Sequence, residues 1–167
     1  MKTLTMETIA SPIGNITIAV DGSTLCALEF EGHEKRMRSL LAKHLGEYQL
    51  VPAKMKSAIA ARIEEYFAGD LAALDAIEVA TGGTQFQQQC WQSLRTIAPG
   101  ATASYGEQAK RIGRPKAVRA VGMTNGRNPV PLVLPCHRVI GADGTLTGYG
   151  GGLWRKEWLL RHEGALR

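Results

Sequence analysis

The chain has 167 residues, 44% of them hydrophobic and 21% charged, with a formal net charge of +5; that is the make-up of a soluble globular protein with room for one ordinary domain or two small ones. No apolar run approaches the roughly 20 residues that a membrane-spanning helix needs. The opening stretch lacks the apolar core of a signal peptide, so a cytoplasmic location is expected. Cys26, Cys90 and Cys136 show no C-x-x-C spacing and leave one over, which argues against a disulfide framework and for a reducing compartment. Cys26 and His33 have no second pair nearby, so no metal site is expected.

Taken in order, "LTMETIAS", "GNITIAVDG" and "STLCALEFEG" predict three strands, the last two joined at Asp21-Gly22 as a hairpin. "HEKRMRSLLAKHLG" carries Met37, Leu41 and Leu45 at helical spacing and stops at Gly46. "AKMKSAIAARIEEYFAGDL" predicts a second helix with a stripe of Met55, Ile59, Ile63 and Phe67. Thr84 and Gln87 form a capping box that opens a helix through about Thr96, with Cys90 as a small buried hydrophobe on its apolar face. Ser104 and Glu107 form another, opening "YGEQAKRIG". Pro115 is placed to start the next helix, "KAVRAVGMTNG". Two short helices joined by a Gly-containing turn make a helix-turn-helix unit. Finally, "LWRKEWLLRHEG" sets Trp154 and Trp158 four apart on a packing face, with Gly164 as its cap.

Charge is unevenly spread. Residues 1–83 hold eight basic against eleven acidic side chains, whereas 84–167 hold twelve against four, nine of the twelve being arginine. A polyanion partner for the second half fits this balance, and so does a solvated basic face. The helix around Ala117, Ala120, Gly122 and Thr124 is small-sided, with Arg119 its one long cation. Such a helix suits close approach to a narrow groove with an inserted arginine, or equally a core helix with Arg119 in solvent.

The segment "PCHRVIG" places Cys136 directly before His137. Adjacent side chains diverge, so an imidazole serving this thiol would act through a bridging water. Together with "SYGE", "RPKAVRAVG", "NPVPLVLPCHRVIG", "GTLTGYGGG" and "KEWLLRHEG", this segment follows the order and spacing of the O6-alkylguanine-DNA alkyltransferases. The chain resembles that family closely over residues 84–164 and more loosely before them.

The resemblance implies an α/β protein of α+β arrangement. Residues 1–80 would form a ribonuclease-H-like subdomain, a small antiparallel sheet with helices. Residues 81–167 would form a winged helix-turn-helix-like domain carrying the active site. It also implies direct-reversal DNA repair: minor-groove binding of double-stranded DNA, extrusion of an alkylated guanine, and irreversible transfer of the alkyl group to the protein's own cysteine. No cofactor is implied, and a monomer is expected. Cys136 matches the alkyl acceptor, His137 the base, Glu163 the acid that orients it, and Asn128 the brace of the acceptor's turn. Tyr105 matches the tyrosine that crowds the lesion's phosphate and protonates the base, and Arg119 the residue filling the vacated space. Ala120 and Thr124 are expected at the DNA surface. Tyr149, Gly150, Gly151, Val139 and Lys156 are expected around the substrate pocket. Glycine at positions 148 and 150, where some relatives carry Asn and Ser, implies a roomier wall that accepts groups larger than methyl, and O4-methylthymine.

Two other readings stay open at this level. A lesion-recognition protein would flag the base without repairing it, but such relatives carry tryptophan where this chain has Cys136. A thiol hydrolase built on Cys136, His137 and Glu163 would leave the basic half unexplained.

Overall fold

A computed structural model describes all residues, 1–167. The chain divides into two compact units, Met1–Gly82 and Gly83–Arg167.

The first unit is built on a four-stranded sheet. β1 (Lys2–Ile9), β2 (Ile16–Asp21) and β3 (Thr24–Phe30) run antiparallel in sequence order. Gly22 makes the β2–β3 turn possible by adopting φ 63°, which L side chains take at a cost. The sheet is not wholly antiparallel, because β4 (Tyr48–Pro52) adds to the far side of β1 in parallel. "YQLVP" was missed in the sequence because an edge strand carries little apolar alternation. Ile16–Val20 and Leu25–Phe30 are buried at every position, so both faces of these strands are covered. α1 (Glu34–Leu45) lays Met37 and Leu41 against Leu4, Ala19 and Ala27. α2 (Ala58–Phe67) is capped by the Ser57 hydroxyl and buries Ile59, Ala60, Ile63 and Tyr66. The expected stripe is therefore rotated. Met55 precedes the cap and is 81% exposed, while Tyr66 rather than Phe67 enters the core.

The second unit opens with α3 (Gln85–Leu94), whose Thr84–Gln87 capping box forms as expected. Cys90, 0% exposed, packs with Ala109 and Val121. β5 (Ala103–Ser104) leads into α4 (Tyr105–Arg111) through the Ser104–Glu107 box. α5 (Val118–Gly126) completes the helix-turn-helix pair. Pro115 lies in the connecting turn, three positions before the first residue of the helix it was expected to start. Between these helices sits a buried amide pair. Gln108 donates to Asn125 Oδ1 at 3.0 Å, Asn125 donates back to Gln108 Oε1 at 2.8 Å, and Gln108 also reaches the Cys90 carbonyl. A buried polar cluster satisfied in this way fixes the angle between helices more sharply than apolar contact does. A 3-10 turn, Cys136–Arg138, runs into β6 (Val139–Ile140), which pairs in parallel with β5. α6 (Leu153–His162) ends the unit.

α6 packs differently from expectation. Its buried residues are Arg155, Lys156, Leu159 and Leu160. Trp154 is 55% exposed, with the Arg155 guanidinium 4.5 Å from its ring centre, and Trp158 stacks on His162.

Candidate active site

The cysteine is delivered by a short, strained loop. Pro129, Pro131 and Pro135 punctuate it, and Leu132 sits at φ 77°, the one non-glycine residue of the chain with positive φ. A leucine holds that conformation only where its surroundings over-determine it. Asn128 does so. Buried to 1% exposure, it accepts from Val130 N at 2.9 Å and donates to the Leu134 carbonyl at 2.8 Å. That carbonyl also accepts the Cys136 N–H at 2.8 Å. One amide side chain thus spans the loop and ends two residues from the thiol.

Cys136 is half-buried, whereas His137 behind it is fully buried. His137 Nε2 lies 2.9 Å from Glu163 Oε2. Glu163 follows the last turn of α6, where Gly164 at φ 80° reverses the chain. Arg138 grips the same carboxylate, Nε to Oε1 and Nη2 to Oε2, each at 2.9 Å, and its Nη1 donates to the Ile97 carbonyl at 2.7 Å. Burial pushes His137 down, against the pull of Glu163, so the imidazole is neutral at pH 7. Burial alone would raise Glu163, but its hydrogen bonds with His137 and Arg138, together with the Arg138 charge, more than offset this and hold it well below the usual range. With His137 neutral, Arg138 carries the compensating charge. The ion pair leaves Nε2–H donating to the carboxylate and Nδ1 as the acceptor. Nδ1 is buried with no protein partner, the arrangement a bridging water to the neighbouring thiol requires. Arg138 was quoted in the motif but given no role there.

Cys136 opens into a cavity of about 530 Å³ lined by Tyr105, Gly122, Asn125, Cys136, Thr147 and Tyr149, with Gly126, Gly148 and Gly150 between them. Tyr149 stands edge-on to His137, ring centres 6.4 Å apart. Tyr105, Tyr149 and Gly150 are therefore brought together with the cysteine as expected. Val139, Gly151 and Lys156 are not in the lining. Pairing of β6 with β5 turns Val139 into the core, at 0% exposure. Gly151 is buried, and its carbonyl accepts from Arg155 at 2.9 Å. Lys156 is fully buried behind the wall, its Nζ donating to the Val139 and Thr147 carbonyls at 2.6 and 3.0 Å. On α5, Arg119 and Ala120 are exposed together with Val118 and Met123. Thr124 is buried at 6% and its carbonyl accepts the Trp91 indole N–H at 2.9 Å, so it faces the core rather than any surface. Gly122, Asn125 and Thr147 were missed as cavity residues; they lay inside quoted motifs as helix formers or loop, and only the tertiary fold turns them toward the thiol.

The first unit has a cavity of about 400 Å³ lined by Met6, Glu7, Lys56 and Glu64 among others. It is lined by no cysteine or histidine.

Burial pushes the Lys156 amine down to about 8, against the opposing charge of Cys136. A neutral amine keeps two N–H groups, enough for both carbonyls. Between about pH 8 and the unfolded value near 10.5, the unfolded chain binds more protons than the folded one. Stability from this group therefore rises with pH across that window and is lost as pH falls through about 8. Buried Cys26 and Cys90 are raised and work in the opposite sense at alkaline pH. The expected result is thus read as a difference: urea unfolding free energies of the parent, minus those of Lys156→Met, should climb from pH 7.5 to 10.5. A flat difference would show that Lys156 stays charged in the fold.

A thiol beside a buried, carboxylate-oriented imidazole, mounted next to a helix-turn-helix pair, defines a cysteine nucleophile in a domain shaped for nucleic acid. Residues 85–165 match the DNA-binding domain of 6-O-methylguanine DNA methyltransferase, and residues 4–81 match the ribonuclease-like domain of the same family. The methylated-DNA–protein-cysteine methyltransferase of Salmonella typhimurium is 49% identical, with 99% of each chain covered. That of Mycobacterium tuberculosis is 45% identical, covering 94% of this chain and 90% of the relative. The crystal structure of Mycobacterium tuberculosis OGT in complex with DNA superposes with a TM-score of 0.79 at 42% identity, covering 98% of this chain and 93% of that one. The O6-methylguanine-DNA methyltransferase of Pyrococcus kodakaraensis gives a TM-score of 0.75 at 28% identity, covering 96% and 99%. This chain belongs to the 6-O-methylguanine DNA methyltransferase family.

Proposed function

We propose that this protein repairs O6-alkylguanine in double-stranded DNA by moving the alkyl group irreversibly onto Cys136. The observation that carries this reading is a half-exposed thiol lining a base-sized cavity, directly followed by a fully buried His137 paired with Glu163. In this reading α5 meets the minor groove through its exposed face, with Ala120 at the surface and Arg119 filling the space the extruded base leaves. The base enters the cavity between Tyr105 and the Gly148–Gly150 wall.

A cysteine attacks as its thiolate, and an unassisted thiol is mostly protonated at pH 7. The Cys136 proton passes through a water to His137 Nδ1, and Glu163 steadies the resulting imidazolium. The sulfur–carbon bond forms as the O6–carbon bond breaks, and the electron pair stays with the purine. Tyr105 gives its phenolic proton to the purine and is reprotonated from His137 through solvent. The net change is one proton moved from sulfur to base and one alkyl group moved from base to sulfur. The thioether is stable, so each molecule acts once and no cofactor takes part. Lys156 contributes by holding the wall rather than by touching the base. A Cβ at Gly148 would meet nothing within 4 Å, which fits a wall open to larger alkyl groups and to O4-methylthymine. We place the protein in the cytoplasm as a monomer; three free cysteines suit a reducing compartment.

The test is intact-protein mass after incubation with duplexes holding one O6-methylguanine or one O4-methylthymine, alongside Cys136→Ser. A single methyl mapped to Cys136, absent from the variant, is expected with both duplexes. Tight lesion binding without mass gain would replace repair with recognition. Many product molecules per protein would point to a thiol hydrolase.

A further inference from the structure

Thr147 joins three parts of the site. Its Oγ1 lies 2.6 Å from the Tyr105 hydroxyl. Its carbonyl accepts from Lys156 Nζ at 3.0 Å, and the same Nζ is tied to the Val139 carbonyl in β6. Its side chain lines the cavity with Cys136. Tyr105 is therefore held at both ends. Its backbone opens α4 under the Ser104–Glu107 capping box, its ring lies against Gly122, where a Cβ would sit 3.6 Å from it, and its hydroxyl meets Thr147.

Two hydroxyls at this distance share one hydrogen bond, and its direction matters. If Tyr105 donates to Thr147, the phenolic proton is turned away from the cavity and cannot be given to a base. If Thr147 donates to Tyr105, the phenolic proton is free to point inward, and the phenol oxygen has a donor in place as it gains negative charge. A purine nitrogen in the cavity is a better acceptor than a threonine hydroxyl, so arrival of the base selects the second order. Lys156 keeps the threonine from drifting with the glycine-rich wall.

We propose that Thr147 is a positioning residue for the transfer reaction, orienting the Tyr105 proton toward the extruded base and donating to the phenol oxygen as that proton leaves. This rests on the alkyl-transfer reading above. The test uses single-turnover transfer from an O6-methylguanine duplex at saturating protein. Thr147→Val keeps the shape but not the hydroxyl, and should slow transfer roughly tenfold while changing lesion affinity by less than about twofold, the size expected for one lost hydrogen bond to a charging group. Thr147→Ser should restore the rate to within about threefold of the parent. In a Tyr105→Phe background, Thr147→Val should have no further effect, since the two act as a unit.

A Thr147→Val rate equal to the parent's would overturn the proposal. So would an equal loss with and without Tyr105, because that is what a merely structural threonine would give. A parent that takes up no alkyl group would overturn the alkyl-transfer reading itself, and the proposal with it.

Discussion

Replacing Glu163 with alanine should destabilise the protein by about 3–5 kcal/mol, because it leaves Arg138 as an uncompensated charge in the interior. Arg138 keeps only the Ile97 carbonyl once both carboxylate bonds are gone. Against a typical folding free energy of about 5–15 kcal/mol, that loss threatens the whole domain. The same change frees the His137 ring, whose Nε2 has no other partner than Glu163, so the transfer rate should fall roughly 10²-fold as general-base assistance is lost. The double variant Arg138→Met with Glu163→Met separates the two effects. An apolar pair in place of a buried ion pair should return most of the stability, whereas the rate stays low. Urea unfolding and single-turnover transfer measure both. A double variant as unstable as Glu163→Ala would show that the ion pair is not the source of the loss.

Asn128→Ala has the next largest expected effect. It removes the acceptor for Val130 N and one of two donors to the Leu134 carbonyl, at 1% exposure where water is not at hand to replace them. A cost of about 2–4 kcal/mol is expected from two buried groups left short of partners. Without the brace, Leu132 should relax from φ 77° toward ordinary backbone, carrying Cys136 out of register with His137. Transfer should slow by roughly 10²-fold, since nucleophile placement within about an ångström is what the loop supplies. Amide exchange reports the cause directly: the Cys136 N–H, bonded to the Leu134 carbonyl, should exchange much faster in the variant. Unchanged exchange with a slow reaction would mean Asn128 acts on the chemistry by another route.

Those two residues also mark what was legible in the sequence. Cys136, His137, Glu163 and Asn128 were legible through the resemblance of their motifs to one family, and the fold brings Glu163 onto His137 and Asn128 onto the loop that carries Cys136. Helix caps at Thr84 and Ser104 were legible because the signal is local: a hydroxyl, two residues, then Glu or Gln. What failed was decided by distant partners. β4 exists because β1 offers it an edge, which no property of "YQLVP" announces. Val139 and Thr124 sit in site motifs yet face the core, since pairing with β5 and packing under Trp91 set their direction. Arg138 and Thr147 were visible as letters but not as partners; the carboxylate and the tyrosine they meet lie 25 and 42 positions away. Trp154 is on the wrong side of α6 for a core aromatic, because the buried stripe there is taken by Arg155 and Lys156 with their charged ends bonded to carbonyls.

The reciprocal amides of Gln108 and Asn125 bear on redesign. Asn125 belongs at once to the joint between α4 and α5 and to the lining of the cavity that holds Cys136. Replacing α5 with a foreign helix to redirect this scaffold to other nucleic acids would break that joint unless the incoming helix carries an amide at position 125 to meet the retained Gln108. A library that randomises Val118, Arg119, Ala120 and Met123 while freezing Gln108, Gly122 and Asn125 keeps the catalytic chamber intact as the outer surface changes. In engineering terms, the helix–helix joint and the chamber lining meet in one side chain, and the helix can be retuned only on the face that side chain does not share.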